Sequence, residues 1–82
     1  MYVENDTEVS HCIKELTREI WATIKMVLRS EATVEQIYEA ASRAKFLRLY
    51  IDRYRVKEFT SLTDTELWLA QEVADAVEDL ID

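Results

Sequence analysis

The chain has 82 residues with 49% apolar content, enough for one thin core, and 17 acidic against 10 basic side chains leave a formal charge of −7. That acidity repels phosphates and argues against general nucleic-acid coating or binding to anionic membranes. With neither glycine nor proline in the chain, phosphate-cradling loops, dinucleotide fingerprints and nucleophile elbows lose the residue their backbones require.

Cys12 is the one cysteine, so an intramolecular disulfide is ruled out. No apolar run approaches the roughly eighteen residues of a membrane span, and the start MYVENDTE has neither the basic region nor the apolar stretch of a signal peptide. The expectation is a cytoplasmic protein, without membrane association and without a cofactor.

Helices joined by short polar turns remain. After a short lead-in over residues 1–7, Asn5 with Glu8 has capping-box spacing. From about 8 to 29, Val9, Ile13, Leu16, Ile20, Ile24, Val27 and Leu28 line one face of a helix, and Lys14, Arg18, Lys25 and Arg29 line the other. Trp21 falls at the edge of the apolar sector.

Ser30–Thr33 breaks the pattern. Thr33 and Gln36 repeat the capping-box spacing, which predicts a second helix over about 34–56. The alternation across Arg53–Lys57 would also suit a short strand, but no partner strand is evident. Ala40, Ala44, Leu47, Ile51 and Tyr54 form a ladder of buried character on one side. Tyr38, Phe46, Leu49 and Val56 form a second apolar strip on a different side. A helix apolar on two sides calls for two neighbours, its own chain or a second copy. Arg48 and Arg55 project toward the buried sector, with Asp52 four residues from one and three from the other, so an Arg48–Asp52–Arg55 charge cluster is expected there.

Thr60–Thr63 is the second break. Thr63 with Glu66 makes a capping box, and Leu62 with Leu67 occupies hydrophobic-staple positions. The third helix is predicted over about 64–81, with Leu67, Ala70, Ala74, Val77 and Ile81 as its ladder. The fold class is therefore all-α, a three-helix antiparallel bundle in one domain (1–82), completed by dimerisation through the second strip of the middle helix.

Charge is segregated along the chain. Six of the ten basic residues lie between Arg43 and Lys57, whereas seven acidic residues follow Asp64 inclusive. The two segments can face one another, or the acidic helix can meet a basic partner protein. Trp68 projects from the polar face of the third helix beside Glu72, Asp75 and Asp79. A large aromatic on an acidic face suits a binding anchor, although packing against Phe59 or Leu62 would also account for it. These four residues are the candidate partner-binding set.

Catalytic candidates are sparse. Neighbouring helical positions diverge by about 100°, so His11 and Cys12 do not converge as base and nucleophile. One His and one Cys do not make a zinc site. The stretch QEVADAVEDLID resembles the second half-motif of the all-helical MazG-like nucleotide pyrophosphatases, which pair it with an upstream E-x-x-E on another helix. Here the upstream acids Glu31, Glu35 and Glu39 are spaced by four, so that first half is not matched. The resemblance implies Mg²⁺-dependent nucleotide hydrolysis at Glu72, Asp75 and Asp79. A helix-turn-helix reading would use Arg43, Lys45, Arg53 and Lys57 on phosphates, opposed by the acidity of the last helix. The preferred expectation is a non-enzymatic protein–protein interaction module, a regulator or inhibitor that occupies a partner's surface.

Overall fold

The computed structural model describes residues 5–81 and contains three α-helices: α1 (Asp6–Leu28), α2 (Val34–Val56) and α3 (Asp64–Asp79). Residues 1–4 of the expected lead-in, and Asp82, lie outside the described residues. Arg53–Val56 completes α2, so the strand alternative for that stretch does not hold.

Each helix start follows from its cap. Asn5 Oδ1 accepts the Glu8 N–H at 2.8 Å, which begins α1 two residues earlier than expected. Thr33–Gln36 and Thr63–Glu66 close reciprocal capping boxes, the hydroxyl accepting at 3.1 Å and the side-chain carbonyl or carboxylate at 2.9 Å in both. Each such cap is worth about 1 kcal/mol relative to alanine.

The stops were less legible, because they are made without glycine. Ser30 (φ 59°) and Glu58 (φ 56°) take the left-handed conformation. Both close Schellman motifs. The Glu31 N–H reaches Met26 O at 2.8 Å and the Ser30 N–H reaches Val27 O at 3.0 Å; Phe59 and Glu58 repeat this on Tyr54 O and Arg55 O at 3.1 and 3.0 Å. At the second, Phe59 lies edge-on to Tyr54 with ring centroids 5.9 Å apart, which is the apolar contact that accompanies the motif.

Side-chain registers fix the topology. Glu19 on α1 meets Arg43 on α2, and Arg48 on α2 meets Asp75 and Glu78 on α3, while Tyr54 lies beside Leu62. From Arg48 to Tyr54 the numbers rise on α2 while their partners fall from Asp75 and Glu78 to Leu62, so α2 and α3 are antiparallel. Helix α1, which runs with α3, is antiparallel to α2 as well. Along α1 and α3 the pairs Asp6–Thr60 and Lys14–Glu66 rise together, so those two helices run parallel. All three pairs pack against one another. At one end Asp6 clasps α1 to the α2–α3 connection: Oδ2 accepts the Thr60 N–H at 3.1 Å, and Oδ1 accepts from the hydroxyls of Ser10 and Ser61.

The core is one cluster. Val9, Ile13 and Ile20 come from α1, the full ladder Ala40, Ala44, Leu47, Ile51 and Tyr54 from α2, and Ala70, Val73, Ala74 and Val77 from α3. Leu62 is buried with them, and Leu67 packs against the cluster from its staple position. The ends of the expected ladders are not covered: Leu28 and Ile81 are exposed.

One expectation needs correction. The argument that α2 requires a neighbour on each of two sides fails within the single chain, because α1 and α3 both settle on the same ladder. Ala40, Ala41 and Ala44 make that side narrow enough for two helices to close over it. The second strip is left in solvent, with Tyr38 at 58%, Phe46 at 59%, Leu49 at 56% and Val56 at 80% exposure.

Candidate functional site

The α3 face holding the candidate partner-binding residues is built by helical spacing alone. Trp68, Glu72, Asp75 and Asp79 recur at four, three and four residues, so they share a stripe opposite the buried Ala70 and Val77. Trp68 is 59% exposed. It does not pack away under the preceding connection; the loop-side apolar contacts are made by Phe59, Leu62 and Leu67 instead. The indole therefore stands on the surface between Asp64 and Glu72, all three exposed.

Asp75 is engaged inside the chain. Arg48 Nη2 donates to Asp75, and Arg48 Nε donates to Glu78 at 2.5 Å. Those two acceptors, first Asp75 and then Glu78, raise the affinity of the guanidinium for its proton. This revises the expected Arg48–Asp52–Arg55 cluster. The three do border one shallow depression with Ile51 and Gln71, but Arg48 takes its charge partners from α3 rather than from Asp52. Two carboxylates one turn apart on the facing helix fit a forked guanidinium better than a single carboxylate on its own helix. Arg55 donates to the Gln71 carboxamide oxygen, Nη1 at 2.8 Å, in the amide orientation that satisfies both groups.

Part of the acidic segment is thus neutralised at home. Glu66 is held by its cap and by Lys14 Nζ at 3.6 Å, and the Thr63 backbone N–H, the Thr63 hydroxyl and Lys14 together keep its carboxyl below the usual range. Glu72 and Asp79 remain exposed on the outward stripe. No three His, Cys, Asp or Glu side chains gather to hold a metal ion among the described residues. Glu72, Asp75 and Asp79 share a face without closing round a point, and Asp75 faces a guanidinium.

A second feature was missed by the sequence reading. Between the parallel helices α1 and α3 runs an apolar groove of about 430 Å³, floored by Ile13 and Leu62 and walled by Trp21 and Leu69. Lys14 and Arg18 form one lip and Glu66 the other. The Thr17 hydroxyl at its base is turned back onto Ile13 O at 2.7 Å, so the floor offers contact rather than chemistry. The available signal was that Trp21 and Leu69 each sit one step off an apolar ladder, on edges that only the parallel α1/α3 register brings together.

His11 is exposed and Cys12 half-buried, where it lines a shallow depression with Leu16, Phe46 and Tyr50. Among the basic residues of α2 and its C-cap, Arg43 is taken up by Glu19 at 3.1 Å and Glu39 at 3.9 Å, while Lys45 and the C-cap Lys57 are exposed. No helix among the described residues is long and apolar enough to cross a membrane. No protein-family model, no curated protein and no solved structure matches the chain.

Proposed function

We propose that this protein is a non-enzymatic protein–protein interaction module, a regulator or inhibitor that works by covering a partner's surface. The observation that carries the reading is Trp68, an indole presented to solvent on a stripe whose Asp75 serves Arg48 but whose Glu72 and Asp79 stay exposed. Tryptophan is among the residue types whose truncation most weakens an interface. The partner that fits is a protein with an apolar pocket rimmed by lysine or arginine, since Glu72 and Asp79 then complement the rim. Leu69, the next residue along α3, extends the apolar contact toward the α1/α3 groove.

The test is quantitative affinity capture from the source cells with wild type and Trp68→Ala, both shown to be equally helical. One or more specific proteins should be lost with the variant. Equal recovery of every captured protein removes Trp68 from the account. The same reading includes self-association through the uncovered strip of α2, for which exposure of Phe46 and Leu49 is the support. Light scattering on the wild type and on Leu49→Asp tests that part separately, the first giving a mass above one chain and the second a monomer.

The nucleic-acid reading is disfavoured by Arg43, one of its four phosphate contacts, whose charge is spent on Glu19 and Glu39 of the same chain. Hydrolysis would need Asp75, which the Arg48 guanidinium occupies.

A further inference from the structure

On the outer side of α2, Tyr38, Ser42, Lys45, Leu49, Asp52 and Val56 follow one another at four, three, four, three and four residues, and all are exposed. At 100° per residue they span about 80° of arc, centred about 180° from the buried Leu47. This is the spacing of a helix–helix seam, set on the side of α2 turned away from the core, with only Asp52 at its edge bordering the depression that Gln71 of α3 helps to line.

The polar members of the seam are arranged to complement themselves. The midpoint of Lys45 and Asp52 falls at position 48.5 of the sequence, and that of Tyr38 and Val56 at position 47. A single two-fold axis near position 48, next to Leu49, leaves each pair within about two residues of exact register, roughly 2–3 Å along the helix. We infer that the occupant of this face is a second copy of the chain, with its α2 antiparallel to the first and its Asp52 opposite Lys45. Tyr38 of each copy then covers Val56 of the other, and the two Leu49 side chains meet near the axis. A parallel pair would set Lys45 on Lys45 and Asp52 on Asp52, and would also align the two helix dipoles unfavourably. The inference rests on the self-association read above and specifies its geometry.

A single 23-residue helix per copy covers about 1,000 Å² in total, at the lower limit of a specific interface. The dimer should accordingly be weak and dependent on concentration, so measurements need to span roughly 5–500 µM. Salt near 0.15 M, where the Debye length is about 8 Å, screens the mutual repulsion of two −7 chains.

The experiment is sedimentation equilibrium on the full chain, comparing wild type, Leu49→Asp, Lys45→Asp, Asp52→Lys, the equimolar mixture of the two charge variants, and the double charge variant. All three positions are exposed, and far-UV circular dichroism confirms that each variant folds. Wild type should approach twice 9.7 kDa at the upper concentrations. Each single charge variant should dissociate at least tenfold more readily, because it places like charges opposite one another. The mixture and the double variant, which restore opposite charges, should return toward wild type. A wild type that stays monomeric throughout overturns self-association itself and assigns the face to another protein. A wild-type dimer that Leu49→Asp abolishes, but that neither charge variant weakens, overturns only the antiparallel geometry.

Discussion

Tyr54→Phe removes one buried hydroxyl, which accepts the Leu62 N–H and also donates to the Leu62 carbonyl at 3.4 Å, and leaves the packing untouched. The Tyr54 ring is 3% exposed, and its hydroxyl accepts the Leu62 N–H at 2.6 Å in a buried environment. That amide lies in the connection between α2 and α3, one residue before the Thr63 cap, where no helical carbonyl is placed to receive it. Phenylalanine keeps the ring in the core and its edge-on contact with Phe59, and removes only the oxygen. The Leu62 N–H is then left buried without a partner, a cost of about 1–3 kcal/mol. For a domain of this size each kcal/mol moves the midpoint of thermal unfolding by about 4–8 °C. Urea and thermal denaturation followed by circular dichroism should show the loss with an unchanged urea m-value, and the Leu62 amide should exchange faster with solvent than in wild type. Stability within about 0.5 kcal/mol of wild type would refute the reasoning, because an unsatisfied buried donor does not come so cheaply.

Three further outcomes follow from local geometry. Ser30→Gly and Glu58→Gly should each stabilise the fold by about 0.5–1 kcal/mol, since both native residues carry a side chain at positive φ; chemical denaturation of the two variants checks this. Asp6 has its carboxyl held below the usual range, chiefly by the Ser61 hydroxyl and further by the Thr60 N–H and Ser10. A depressed folded value contributes stability that is present above about pH 4 and is lost as the pH falls through the folded value. Asp6→Asn should therefore be less stable at neutral pH, with the gap to wild type narrowing on acidification, as thermal melts across that range would show. Arg48→Met removes a bridge whose side chain is 42% exposed, so the loss should be about 1 kcal/mol or less and should shrink further in about 0.5 M salt.

How far the sequence could be read depended on whether a feature was set by one helix or by two. The apolar ladder of α2 and the capping boxes at Thr33 and Thr63 are properties of a single helix and its first turn, and all are present as expected. The left-handed turns at Ser30 and Glu58 were hidden because glycine, the residue that normally marks them, is absent from the chain. Spacing offers Arg48 only the partners on its own helix, whereas the rotation of α3 that presents Asp75 and Glu78 is a tertiary fact. The α1/α3 groove has the same origin. Trp21 and Leu69 are far apart in sequence and become walls of one cleft only after two antiparallel connections have made their helices parallel.

The two apolar strips of α2 separate what folds the chain from what the chain can bind. Its inner ladder alone satisfies both α1 and α3, so the bundle closes without Tyr38, Phe46, Leu49 or Val56. Replacing those four by polar residues should leave the core intact, because none belongs to the buried cluster. Their exposure is thus no requirement of the monomer, and in an 82-residue domain with a thin core it adds apolar surface where association is encouraged. The same logic applies to Trp68, which lies outside the core cluster and exposed on α3. Two surfaces that the fold does not need, one self-complementary in charge and one acidic around an indole, lie on different helices. An α2-mediated pair would therefore leave both copies of Trp68 free to engage a client, and a Leu49→Asp monomer should still bind that client, with lower avidity but through the same residue.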